Sequence, residues 1–121
     1  MPCLQAVVGW PPEVDIGEWK GTTDSWFNTF NTSSEVRSDT VPWTDGDFHS
    51  LRAELSAESN GADVRIDFFK DDVLQVTQFG AGFVDQALWL IVNLQMEGSS
   101  GSPGPDGTTQ YLARNIQVTH S

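Results

Sequence analysis

The chain has 121 residues, with six Lys and Arg against 17 Asp and Glu, a formal net charge of −11. That length holds one domain around a single core, and the acid excess argues against nucleic acid or an anionic membrane surface as a partner, since both are met by clustered Lys and Arg. One cysteine, Cys3, excludes an internal disulfide and a cysteine-built metal centre, no run approaches the roughly 18 apolar residues of a membrane-spanning helix, and the opening residues lack the basic-then-apolar pattern of an export signal.

Five Trp and seven Phe beside 11 Gly and six Pro favour pleated sheet over helix, because aromatic and β-branched side chains lose freedom in a helix and pack well on a strand. Period-two alternation between turn residues then marks the strands in chain order. The first runs from Glu13 to Trp19, entered through Trp10-Pro11-Pro12, and the second from Ser25 to Asn31. Thr32 to Gly46, rich in Ser, Thr and Asp, reads as a long loop. Phe48 to Leu55 alternates His49, Leu51, Ala53 and Leu55 against polar residues, which makes His49 a satisfied core histidine. Val64 to Lys70 and Val73 to Gln78 form a hairpin across Asp71-Asp72. Ala87 to Met96 is the most apolar segment, Gly98 to Gly107 is a breaker-rich loop, and Gln110 to Thr119 is the last strand, with Arg114 expected to pair with an acid. Short antiparallel strands with long loops predict an all-β sandwich or jelly roll.

The segment that carries chemistry is Glu13-Val14-Asp15-Ile16-Gly17-Glu18. Residues two apart on a strand share a face, so Glu13 and Asp15 point one way while Val14 and Ile16 point to the core. Strict alternation sends Glu18 to the apolar side. A β-bulge at Gly17 returns it to the acidic face, giving three carboxylates in a row. Crowding of like charges then leaves one of them protonated near neutrality. One ionised and one protonated carboxyl are what glycoside hydrolysis uses, and the stretch from Glu13 to Glu18, about 13 Å at ~3.3 Å per effective position, lets two glutamates lean together. Two blander readings fit the same pattern: a half-solvated strand, and a calcium site, although no Asp-rich calcium loop is present.

The run from Trp10 to Glu18 resembles the bulged catalytic signature of glycoside hydrolase family 16, Glu-x-Asp-x-x-Glu. Thr29-Phe30-Asn31-Thr32, Phe48-His49, the Ile66–Leu74 hairpin, the Ala87–Gly98 stretch and Tyr111 to Val118 resemble the family's later segments in the same order. The resemblance implies a concanavalin A-like sandwich and a retaining hydrolase of β-linked polysaccharide, such as β-1,3 or mixed-linkage glucan, with no cofactor; structural calcium is not indicated. It implies Glu13 as nucleophile, Glu18 as general acid and then base, and Asp15 between them as the group that tunes both. Family members are secreted, which implies an extracellular protein. Trp10, Trp19 and Trp26 are candidate sugar platforms or plain core residues. Asn31, where laminarinase-like members usually carry a His, and Asn93 are candidate groove residues. The family also carries a stretch about as long as this chain before the acidic strand, whereas here that strand begins at Glu13. Residues 1–121 therefore read as an N-terminally truncated, C-terminal half of the catalytic domain. The alternatives are a non-catalytic carbohydrate-binding module working through the three tryptophans, or an inactive truncated paralogue.

Overall fold

The computed structural model describes residues 1–95 and 106–120, and every regular element within them is a strand. The strands are β1 (Pro2–Ala6), β2 (Glu13–Glu18), β3 (Asp24–Phe30), β4 (Val36–Pro42), β5 (Leu51–Ala57), β6 (Val64–Lys70), β7 (Val73–Gly80) and β8 (Leu88–Val92). They form two antiparallel sheets, one of five strands in the order β4-β3-β2-β1-β8 and one of three in the order β5-β6-β7. The chain is an all-β sandwich.

Alternation on each strand makes the two faces. Val14 from β2, Phe27 from β3 and Val41 from β4 meet Val64, Ile66 and Phe68 from β6, and Phe83 closes the same cluster. At its centre the Phe27 and Phe68 rings stack with centroids 4.7 Å apart. Burial of this apolar surface is the main driving force joining the sheets. A polar tie crosses the same interior. Thr29 Oγ1 donates to Gln78 Oε1 at 2.7 Å, while Gln78 Nε2 donates to the Phe27 carbonyl and to Asp39 Oδ2 at 3.0 and 2.9 Å. With these partners Gln78 lies fully buried without an orphaned group.

The β6–β7 hairpin turns at Asp71 and Asp72, with φ of 50° and 63°. Two successive left-handed residues are the signature of the tight turn that matches strand twist. Three expectations need correction. Val36–Pro42, inside the expected loop, is a strand: it is an edge partner of β3, and only Val41 of its seven residues is buried. Pro2–Ala6 is also a strand, inserted between β2 and β8. Conversely, residues 108–120 form no strand; Leu112, Ile116 and Val118 are exposed, and Arg114 lies 4.0 Å over the Phe48 ring rather than against an acid. Residues 96–105, which include the end of the expected Ala87–Met96 strand and most of the Gly98–Gly107 loop, lie outside the described residues.

His49 is satisfied but is not a core residue: it is half-buried, at the rim of the smaller sheet. Its Nε2 is 2.7 Å from Asp45 Oδ1 and its Nδ1 2.6 Å from Asp71 Oδ2, and its ring meets Trp43 edge-on. The two carboxylates, chiefly through these hydrogen bonds, push the His49 pKa above its ordinary value.

Candidate active site

The outer face of the five-stranded sheet, opposite the core, is built in rows by strand register. Glu13 stands between Phe30 of β3 and Gln5 of β1, and Gln5 in turn stands beside Trp89 of β8. The next row is Asn28, Asp15, Cys3 and Ile91. Between Asp15 and Glu18 the register shifts, so that Ile16 and Gly17 together oppose Phe27, and Glu18 comes to pair with Trp26. That is the bulge read from the sequence. Its consequence is that Glu13, Asp15 and Glu18 share one face while Val14 and Phe27 stay in the core. Space at Gly17 is taken from the other side: an added Cβ would lie 2.6 Å from Leu51 Cδ1 and 3.0 Å from the Trp19 ring.

Hydrogen bonds tie the carboxyls together. Asn28 Nδ2 donates to Asp15 Oδ2 at 2.9 Å and to Glu18 Oε2 at 2.8 Å, which brings those two oxygens within about 6 Å of each other. Glu13 Oε2 accepts from Gln5 Nε2 at 3.0 Å and from Trp10 Nε1 at 2.8 Å. Lys20 Nζ lies 3.5 Å from Glu18 Oε2 and 4.9 Å over the Trp26 ring. Asp15 is 1% exposed. Burial, reinforced by Glu13 and Glu18 and opposed by the Asn28 hydrogen bond, raises its pKa to about 8. The proton expected among three crowded carboxyls is therefore favoured at Asp15. Beside it the Cys3 thiol is pushed up to about 12, first by burial and then by the acids, so it stays a neutral thiol.

A pocket of about 160 Å³ opens next to Glu18, bordered by Trp19, Lys20, Asn93 and Tyr111 among others. Asn93 Nδ2 donates to Gln95 Oε1 at 3.0 Å. Among the described residues the buried Asn93 Oδ1 and Trp26 Nε1 atoms have no hydrogen-bond partner. Trp10, 44% exposed, leans on Phe30 with ring centroids 5.4 Å apart. Trp19 is half-buried, packed between Trp43 at 5.0 Å and Tyr111 at 5.5 Å, and presents only part of itself to the pocket. Asn31 is not brought to this face. Its Oδ1 accepts from the Ala81 amide at 2.7 Å, tying the end of β3 to the segment after β7. The parity shared with Thr29 and Phe27 points it to the inner side, where those residues face the core.

Among the described residues no group of three or more His, Cys, Asp or Glu is disposed to hold a metal ion. No family model matches the chain, and no solved structure matches it either. The chain is 66% identical to the galactan endo-β-1,3-galactanase of Flammulina velutipes. The match covers 119 residues, 98% of this chain, so the chain spans about half (48%) of that relative's length.

Two residues of the site escape a reading of the sequence. Asn28 is the hub of the hydrogen bonds, and its signal is parity: it shares a face with Trp26, which the bulged register sets opposite Glu18. Gln5 lies on a five-residue strand that carries no alternation to announce it.

Proposed function

We propose that this face is the catalytic face of a retaining endo-glycosidase of the family 16 type, and that its substrate is a β-1,3-linked galactan rather than a glucan. The single observation that carries the reading is the bulge: it returns Glu18 to the face of Glu13, where Asn28 holds it beside Asp15. The similarity to a protein named for endo-β-1,3-galactan cleavage supports the hydrolase class and turns the substrate from glucan to galactan.

In this reading Glu13 attacks the anomeric carbon. Two N–H donors on Glu13 Oε2 fix the carboxylate and leave its other oxygen free for the new bond. Glu18 gives its proton to the departing glycosidic oxygen, then takes one from the water that releases the glycosyl-enzyme. Asp15, retaining its proton near neutrality, adds no negative charge beside the attacking Glu13 carboxylate. Lys20 and Asn28 keep Glu18 oriented through both steps. Trp10 and Trp26 offer indole surface to the sugar chain, Asn93 lies in the pocket beside the acid, and Trp19 packs behind the bulge.

Release of reducing ends from β-1,3-galactan, with laminarin as the glucan control, tests the assignment. Glu18→Gln should lower the rate on galactan by about 10³-fold or more while binding of galactan persists. An unchanged rate in that variant removes the assignment.

A further inference from the structure

Trp89 is the one large aromatic on the carboxylate face with no role in the site as described above. It is 61% exposed on β8, an edge strand of the five-stranded sheet. Its register partner is Gln5, whose own partner is Glu13 and whose amide donates to Glu13 Oε2. Trp89, Gln5, Glu13 and Phe30 therefore stand in one line across four strands, with Trp10 resting on Phe30 at the far end. Among the described residues no aromatic neighbour stacks on Trp89, and its flanking residues Leu88 and Leu90 turn to the opposite face.

We infer that Trp89 is a sugar-stacking residue, forming a subsite for the β-linked galactan two strands away from Glu13. The inference rests on the functional reading above and adds the direction of the bound chain, across the strands along the line from Trp10 to Trp89. Two strand spacings, roughly 10 Å, separate Trp89 from Glu13, a gap that a short run of linked pyranoses crosses. A galactopyranose has an axial O4, which leaves the C3–H, C4–H and C5–H bonds together on one face. That apolar face suits a flat, exposed indole, whose quadrupole is negative over the ring. Gln5, with its Nε2 engaged by Glu13, retains its carbonyl oxygen for a sugar hydroxyl between the two positions.

The test uses Glu18→Gln as the parent, so that ligands are not consumed, and measures affinity for β-1,3-galacto-oligosaccharides of increasing length by calorimetry and tryptophan fluorescence. The parent should gain about tenfold in affinity or more once the oligomer is long enough to reach Trp89, as stacking on one ring is worth. Adding Trp89→Ala should abolish that gain and its fluorescence change while leaving the shortest oligomers bound as before, and Trp89→Phe should restore most of it. Equal affinity at every length in parent and Trp89→Ala overturns the subsite and leaves the hydrolase reading standing. Failure of the parent to bind galacto-oligosaccharide of any length, together with no hydrolysis by the unsubstituted chain, overturns both.

Discussion

Replacing Asp15 by Asn should make the protein more stable above neutrality and change little at acid pH. The carboxyl is 1% exposed and its pKa stands at about 8 against an ordinary 3.8. A folded-state pKa raised above the unfolded one means that the folded chain binds the extra proton. Stability is therefore full below about pH 4 and declines as pH rises towards 8, where the folded state must ionise a buried group. At ~1.4 kcal/mol per pH unit the ceiling of that loss is about 5–6 kcal/mol. Relaxation and entry of water around the ionised carboxylate reduce it, and roughly 2–4 kcal/mol is the expected size. The amide of Asn is isosteric and neutral at every pH, so Asp15→Asn removes the loss without opening a cavity. Urea unfolding of both proteins at about pH 5 and about pH 8.5 gives the answer, because His49 and the acids remote from Asp15 contribute equally to each and cancel in the difference, which leaves Asp15 together with its coupling to Glu13 and Glu18. At the lower pH, about one unit above 3.8, Asp15→Asn should lead by about 1 kcal/mol, and at the higher by the full amount. Parallel pH profiles would show that Asp15 is ionised in the folded state throughout, and the reasoning from burial and crowding would be wrong.

Asn28→Ala removes the donor shared by Asp15 and Glu18. Hydrolysis of galactan should fall by about 10–100-fold, as for a displaced catalytic group, and the Asp15 pKa should rise further, because the lost hydrogen bond favoured its ionised form. Carboxyl titration by NMR reads that shift. Gly80→Ala places a Cβ 2.3–2.7 Å from three ring atoms of the buried Phe83, so the ring must move out of the core at a cost of about 1–3 kcal/mol, visible as a lower melting temperature. The Asp45–His49–Asp71 bridge contributes stability below the unfolded pKa of about 6.5 that is lost as pH climbs through the raised folded value. Asp71→Asn should bring the His49 NMR titration midpoint down towards 6.5, with Asp45 left as its partner.

The parts of the fold that were legible are those where local chemistry and tertiary context agree. Val14 and Ile16 against Glu13 and Asp15 fixed the two faces of β2, and a glycine before a misplaced acid was enough to infer the bulge. Asp71-Asp72 likewise announced its hairpin. β4 was hidden because an edge strand has one partner and needs little apolar content: Arg37 pairs with Asp39, which also accepts from Gln78, and local composition reports this as a polar loop. β1 was too short for any period to show. Gln110–Thr119 carries the alternation of a strand, but among the described residues no sheet edge pairs with it. In the site, the acids were visible and their partners were not. Asn28 and Gln5 reach the carboxyls only through cross-strand register, a long-range fact, and Asn31 was misread because parity names a face without saying which face is open.

Trapping with an activated 2-deoxy-2-fluoro-galactoside whose aglycone-free end carries a β-1,3-linked galactose is the most direct test of the catalytic assignment. The electronegative fluorine slows release of the glycosyl-enzyme, so the adduct survives proteolysis and can be located by peptide mass spectrometry. The account predicts a glycosyl ester on the Glu13 carboxylate, absent from Glu13→Gln. An adduct on any other carboxylate, or galactan cleavage with inversion at the anomeric carbon, would contradict it.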